Sequence, residues 1–222
     1  DPCIACESPW RPKRMSVMGE LMNSFERMER AVEARPVDQI PASVWCHFGT
    51  EHLPPDAVAK LHADYQAAYR WDFMKVMFDY RLHVPDSVDG PAGLDLQLMV
   101  DTVDWAAPFQ RQIEVLQYLR SSGEISVPMV DTIYSPWMYL VRHLGADLTE
   151  QILEQHHLLA RIMARLTEES CKHVRRVRDI GCFGIYLPTL AAAETSWSGL
   201  REMQSTYDKE VLRAASGMVR ML

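Results

Sequence analysis

The sequence holds no apolar run of the roughly 18 residues that a bilayer-spanning helix takes. Its first residues, DPCIACESPWRPKRM, lack the hydrophobic core of a secretory signal. There is no GxGxxG after a strand-like run and no GxxxxGK[ST], so no phosphate-cradling loop is supported. A basic excess is also missing. The net charge is -7, which speaks against the clustered positive footprint of nucleic-acid binding. The densest basic run, CKHVRRVRD (Cys171–Asp179), closes a helical pattern, where cations complement the helix dipole. Cysteine is sparse and odd in number, five in all, which argues for reduced thiols in a cytoplasmic protein. Cys3 and Cys6 form a lone CxxC with no second pair to complete a tetrahedral zinc site.

What remains is ordinary globular material, 48% hydrophobic and 24% charged. Residues 1–16, with Pro2, Pro9 and Pro12 and no periodicity, read as a disordered or extraneous leader, and Met15 or Met18 as a natural start. Residues 17–222 read as one unit. Asn23 or Ser24 caps a helix with Phe25, Met28 and Val32 on one face, stopped before Pro36. Ile40–Cys46 reads as a first strand. Pro54 to Arg70 is a helix with Val58, Leu61, Tyr65 and Ala68 on one face. Phe73–Phe78 is a second strand, followed by a loop rich in Asp, Gly and Pro to about Pro91. Further on, Pro108–Arg120 is a helix, Ile125–Ile133 a strand, and Ser135–Leu144 a short helix ended by Gly145. Leu148 to about Asp179 is helical with a break near His156. Cys182–Leu187 is a strand, Leu200–Ala215 a helix, and Met218–Leu222 the start of another strand.

Strands alternating with helices over crossover-length connections predict a parallel α/β sheet covered by helices. Two folds fit, a doubly wound sheet and a (β/α)8 TIM barrel. A complete barrel takes about 250 residues, and this chain spends about 200 on four strands and the start of a fifth. It therefore reads as an incomplete barrel, about five strands of eight, with the helices outside. In either fold the site lies at the carboxyl ends of the strands. That rim carries His47–His52, Asp79–His83, Tyr134–Trp137 and Pro188–Thr189.

The candidate site residues follow from that placement. His47, Glu51 and His52 fit a substrate-lining loop, a metal site or a polar turn, and their spacing alone fixes no ligand geometry. Asp79, Tyr80 and Arg81 bring three chemistries to one strand end, against the plain alternative of a surface Asp–Arg pair. Tyr134 and Trp137 fit the wall of a planar ligand and equally a core. His156 and His157 point to different helix faces and read as solvent or packing residues. The methionines read as core filling.

Four segments in order resemble the uroporphyrinogen decarboxylase superfamily, which includes methyltransferases that move methyl groups between corrinoids and thiols. They are RMERAVEARPVDQIPASVW (Arg27–Trp45), DFMKVMFDYR (Asp72–Arg81), VPMVDTIYSPWMYLVRHLG (Val127–Gly145) and GIYLPTLAA (Gly184–Ala192) with the later YDKEVLRAASG (Tyr207–Gly217). The resemblance runs from about Met22 to Leu222 and implies a TIM barrel. It gives Asp79 the place of the catalytic aspartate and puts Arg142 where the family has a tyrosine. It also makes His47, His52, Tyr80, Arg81, Tyr134 and Arg142 substrate-lining. The decarboxylases follow the first strand with an Arg-Gln-Ala-Gly-Arg loop that clamps tetrapyrrole carboxylates. The matching loop here, CHFGTEH (Cys46–His52), has no arginine, a poor match to a polycarboxylate. The resemblance thus favours a divergent or corrinoid-dependent methyltransferase-like enzyme. The alternatives are a decarboxylase of porphyrin biosynthesis and a non-catalytic remnant serving as a binding module. The implied partners are a tetrapyrrole, or a methyl donor or corrinoid protein, and a homodimer is compatible. No metal is expected in this chain, although a full-length methyltransferase-like protein would use zinc, and residues 1–222 alone are expected to be inactive.

Overall fold

The computed structural model describes residues 21–85, 89–90, 93–189 and 198–222. The expected leader at 1–16, with its CxxC, lies outside them, as does the end of GIYLPTLAA.

The first helix, α1 (Ser24–Val32), starts where its cap predicts, because the Asn23 side chain accepts from Glu26 N at 2.9 Å. Arg27 on its buried face donates through Nε and Nη2 to Asp38, through Nη1 to Asp72 and through Nη2 to the Met22 carbonyl. That one guanidinium ties the helix to the chain entering the sheet. The two carboxylates and the hydrogen bonds to Asp38 hold its pKa above the ordinary arginine value.

Ile40–Cys46 is not a strand, which corrects the sequence reading. Pro41 brings no donor, and Ala42 N donates at 2.8 Å to the Asp72 carboxylate rather than to a neighbouring backbone. A side chain has taken the place of a ladder partner, and Ile40 stays 85% exposed.

The helix α2 (Pro55–Tyr69) has proline at its first turn and ends at Arg70 in the left-handed region, φ 55°. It leads into β1 (Met74–Val76). The next segment holds a small antiparallel ladder, β2 (Asp89–Gly90) with β3 (Gly93–Leu94), and a helix α3 (Leu96–Thr102) capped by Asp95. The sequence reading left that stretch without structure. Then come α4 (Ala107–Ser122), β4 (Met129–Thr132) and α5 (Pro136–Glu154). The latter runs on through Gly145, where the sequence suggested a stop. One interior glycine costs only about 1 kcal/mol, too little to end a helix anchored by buried Trp137, Tyr139, Leu140 and Leu144. The break comes instead at Gln155, and α6 (His156–Ile180) follows. The chain continues through β5 (Gly184–Tyr186) and α7 (Ser198–Ala214) to β6 (Val219–Met221).

The four long-range strands form one parallel sheet in the order β1-β4-β5-β6. Its register puts Lys75, Val130 and Gly184 in one row across the strands, and Val76, Asp131 and Ile185 in the next. One face therefore carries Met74, Val76, Asp131 and Ile185 toward the helices. The other carries Lys75, Val130, Thr132 and Tyr186. β1 and β4 are buried along their whole length, as parallel strands covered on both faces should be. Helices α2, α4, α6 and α7 pack each against the next, so the outer layer repeats the order of the sheet. Two devices fix that sheet. A Cβ on Gly184 would lie 2.6 Å from the Val219 carbonyl oxygen, so only glycine admits β6 at this distance. Past the end of β1, Met77 N donates to His62 Nε2 at 3.1 Å, while His62 Nδ1 donates to the Val58 carbonyl at 2.9 Å. Both bonds require the neutral ring with its proton on Nδ1, and burial accordingly pushes the His62 pKa down.

Between sheet and helices, Asp131 accepts from Gln112 Nε2 at 2.8 Å and pairs with His173 Nε2 at 2.7 Å, all three buried. No helix among the described residues is long and apolar enough to cross a membrane.

Candidate functional site

Three chain segments meet beyond the carboxyl ends of β1 and β4. The first is the loop from Cys46 to Leu53. The second is the end of β1 extended to Asp79. The third is Tyr134, with the opening turns of α5. Asp79 is two residues on from Met77 and four from Lys75, so it continues the face opposite the helices. Its side chain is only 5% exposed, whereas that of His47 is 43% exposed.

His47 Nδ1 lies 2.5 Å from Asp79 Oδ1. Arg142 Nη2 stands 3.6 Å from the same oxygen, and Arg142 Nη1 donates to the Tyr134 hydroxyl. The guanidinium carbon also sits 4.7 Å from the centre of the Tyr134 ring. The other carboxylate oxygen, Oδ2, is buried without a hydrogen-bond partner among the described residues. A buried acceptor left unpaired costs about 1–3 kcal/mol, so a donor reaching it would be favoured.

The carboxylate against Nδ1 holds the ring so that Nε2 faces away from Asp79. That is the arrangement that presents a lone pair to a ligand or a transferable proton. Arg142 adds a fixed cation, and the Tyr134 hydroxyl, which accepts from Arg142, keeps its own proton to donate. Burial raises the Tyr134 pKa, and the neighbouring arginine opposes that only in part. An imidazole and a cation thus flank one buried carboxylate, and a phenol holds the cation.

The remaining expected residues are placed differently. His52 is exposed and forms no hydrogen bond or ion pair among the described residues. Arg81 is exposed, its guanidinium 3.6 Å from Glu51. Tyr80 turns to the helix side, 3% exposed, with its hydroxyl donating to the Leu53 carbonyl at 3.4 Å. Trp137 is 2% exposed and belongs to the core, not to a ligand wall. His156 and His157 are both exposed.

Two residues that sequence reasoning passed over support the site. Arg111 on α4 donates to the Leu53 carbonyl at 2.8 Å and to that of Glu51 at 3.5 Å, with its guanidinium 4.2 Å from the Tyr80 ring centre. It pins the loop that carries His47. His143, one residue past Arg142, donates from Nδ1 to the Tyr139 carbonyl at 2.5 Å and buries an Nε2 that has no partner among the described residues. Burial, with Arg142 and Arg81 nearby, pushes its pKa down to about 4, so the ring is neutral at pH 7. Arg111 lies in the predicted helix Pro108–Arg120 and His143 in the predicted helix Ser135–Leu144. Neither carried a sequence signal.

Zinc is poorly served here. Among the described residues no three His, Cys, Asp or Glu side chains stand close enough to share an ion, and a catalytic zinc takes three protein ligands.

An α/β architecture with a parallel sheet, outer helices and a polar rim at the strand ends is the class of protein this describes. No family model matches the chain, and no curated protein matches it in sequence. A methyltransferase from Methanosarcina mazei has a similar structure, with a TM-score of 0.64 over 90% of this chain and 68% of that chain, at 16% identity. The fold is methyltransferase-like.

Proposed function

We propose that this chain is a divergent member of the uroporphyrinogen decarboxylase superfamily, that its sheet is an arc of a (β/α)8 barrel, and that it serves methyl transfer to a small molecule. The observation that carries the reading is the convergence of His47 and Arg142 on the buried Asp79 carboxylate, with Tyr134 hydrogen-bonded to Arg142. The likeness to a methyltransferase supports it at the level of fold.

In this reading Arg142 binds an anionic part of the acceptor and Tyr134 donates to it. The acceptor attacks the methyl carbon, and the donor–methyl bond breaks with its electron pair left on the donor. The acceptor's proton passes to His47 Nε2, and Asp79 stabilises the imidazolium through Nδ1. No step is assigned to zinc, because the described residues do not offer it a ligand set.

Decarboxylation of a tetrapyrrole is the second reading, supported by the position of Asp79. It has less support, since Cys46–His52 contains no arginine to hold carboxylates. Purified full-length protein should be given methylcobalamin with a panel of small thiols, and separately uroporphyrinogen. Loss of the methylcobalamin spectrum with formation of a methyl thioether is expected. Carboxylate loss from uroporphyrinogen without thiol methylation would replace this reading with the second one. Turnover of neither would remove both.

A further inference from the structure

Helices α4 and α6 leave a groove of about 380 Å³ between them. Buried Phe109, Ile113 and His173 are part of its lining, and α6 adds Lys172, Arg175 and Arg176 with Glu169. The three cations stand at i, i+3 and i+4, the spacing that puts side chains on one helix face. The helix dipole does not account for them. Its attraction for cations falls off within the last turn, and the basic residue in the last turn of α6 is Arg178. In a chain of net charge -7, three cations along one groove against a single carboxylate are a local excess of the opposite sign.

The three cations differ in what holds them. Lys172 Nζ lies 2.8 Å from Glu168 and from Glu169, so its charge is met on its own helix. Arg176 Nη1 donates to Gln110 Oε1 of α4 at 2.5 Å, reaching across from one helix to the other. Gln110 is neutral, so it orients the guanidinium without cancelling its charge. It is itself fixed, with Nε2 donating to Glu114 Oε1 at 3.0 Å. Arg175 forms no ion pair or hydrogen bond among the described residues. His173 is also incompletely used. It pairs through Nε2 with Asp131, and its Nδ1 has no hydrogen-bond partner among the described residues.

We propose that this groove binds a phosphomonoester, with the phosphate on Arg175 and Arg176 and the carbon body against Phe109. Two uncompensated guanidiniums match a dianion, and each offers the planar fork of N–H groups that fits two phosphate oxygens. A carboxylate would satisfy one of them and leave the other without a counter-ion. Because Gln110 already holds Arg176 in place, little side-chain freedom is lost there on binding. The volume is that of a small-ligand site, and its apolar part gives an ester contact that inorganic phosphate cannot use. The groove lies in the helix layer, whereas Asp79 continues the opposite face of the sheet. This inference therefore does not depend on the methyl-transfer reading.

The test titrates the whole isotope-labelled chain at about pH 8, where a phosphomonoester is a dianion, and follows the backbone amide shifts by NMR. The probes are phenyl phosphate, inorganic phosphate and phenol. Phenyl phosphate should shift Gln110 and Lys172–Arg176 saturably and bind at least ~3-fold more tightly than inorganic phosphate. Phenol, which has the ring without the charge, should shift neither region. Arg175→Gln and Arg176→Gln should each weaken phenyl phosphate at least ~10-fold, the loss of charge-assisted hydrogen bonds. Gln110→Ala changes no charge and should still weaken it about 3-fold, because Arg176 loses its orienting partner. Arg178→Gln, outside the groove, should stay within about 2-fold of wild type. All four side chains are exposed, so none of these variants removes a core contact. Absence of saturable shifts along the groove would overturn the proposal. Equal weakening by Arg178→Gln and Arg176→Gln would overturn it too, since that marks a diffuse field and not a site. Inorganic phosphate binding as tightly as phenyl phosphate would overturn the ester as the ligand.

Discussion

Asp79 is the residue from which the site is built, and its two oxygens have different fates. Oδ1 is engaged by His47 and Arg142, whereas Oδ2 is buried with no partner among the described residues. His143 behind it gives a prediction in pH. Its pKa in the folded chain, about 4, lies below the ordinary 6.5. Below pH 6.5 the unfolded chain therefore binds a proton that the native state refuses. Stability contributed by the neutral ring is full above pH 6.5 and is lost as the pH falls toward 4, by roughly 3 kcal/mol. His62 acts in the same direction. Asp208 acts in the opposite one, since burial raises its carboxyl to about 6 and the native state takes up a proton first. Urea midpoints measured between pH 7 and pH 4 should fall less steeply in His143→Asn than in the wild type, and more steeply in Asp208→Asn. The same slope in all three would refute these assignments. At the same scale, Arg111→Ala frees the loop carrying His47. Misplacement of that kind costs about 10–100-fold in turnover efficiency, and Arg111→Lys should recover only part, since one ammonium cannot span two carbonyls. Kinetics indistinguishable from wild type would show that the loop holds itself.

Among the elements, those with an end signal were legible. Asn23 opens α1 through its side-chain cap and proline opens α2, each for a reason visible in the residue type. Where a tertiary partner replaced a local signal, the reading failed. Ile40–Cys46 has strand composition, yet Asp72 takes the hydrogen bond from Ala42 that a ladder would have used. Gly145 resembles a stop, and the buried first turns of α5 carry the helix past it. The site divides the same way. Asp79, Tyr134 and His47 were legible because strand ends meet on one rim. Arg111 was not, since nothing in Pro108–Arg120 sets it apart, and the Glu51 and Leu53 carbonyls that it holds lie far from it in sequence. The register also gives a stability prediction. Gly184→Ala forces a Cβ against the Val219 carbonyl, and overpacking of this kind costs about 1–3 kcal/mol. Urea denaturation should show it as a lower midpoint with an unchanged slope. An unchanged midpoint would mean that β6 is free to shift.

For the whole molecule, the parallel sheet, the helix layer and the rim form one argument. The sheet order brings the ends of β1 and β4 side by side, the helices bury the outer face, and the polar residues left at the ends belong to four positions of distinct chemistry. The likeness to a methyltransferase fold agrees with that architecture. The most direct measurement compares methyl-transfer rates of His47→Gln, Asp79→Asn and Arg142→Gln with that of His52→Gln, in folded protein confirmed by circular dichroism. Loss of a group acting on the reacting atoms costs about 100-fold or more, so the first three should each fall by that order while His52→Gln stays within about 2-fold of wild type. Full activity in Asp79→Asn, or a loss in His52→Gln as large as in His47→Gln, would contradict the site.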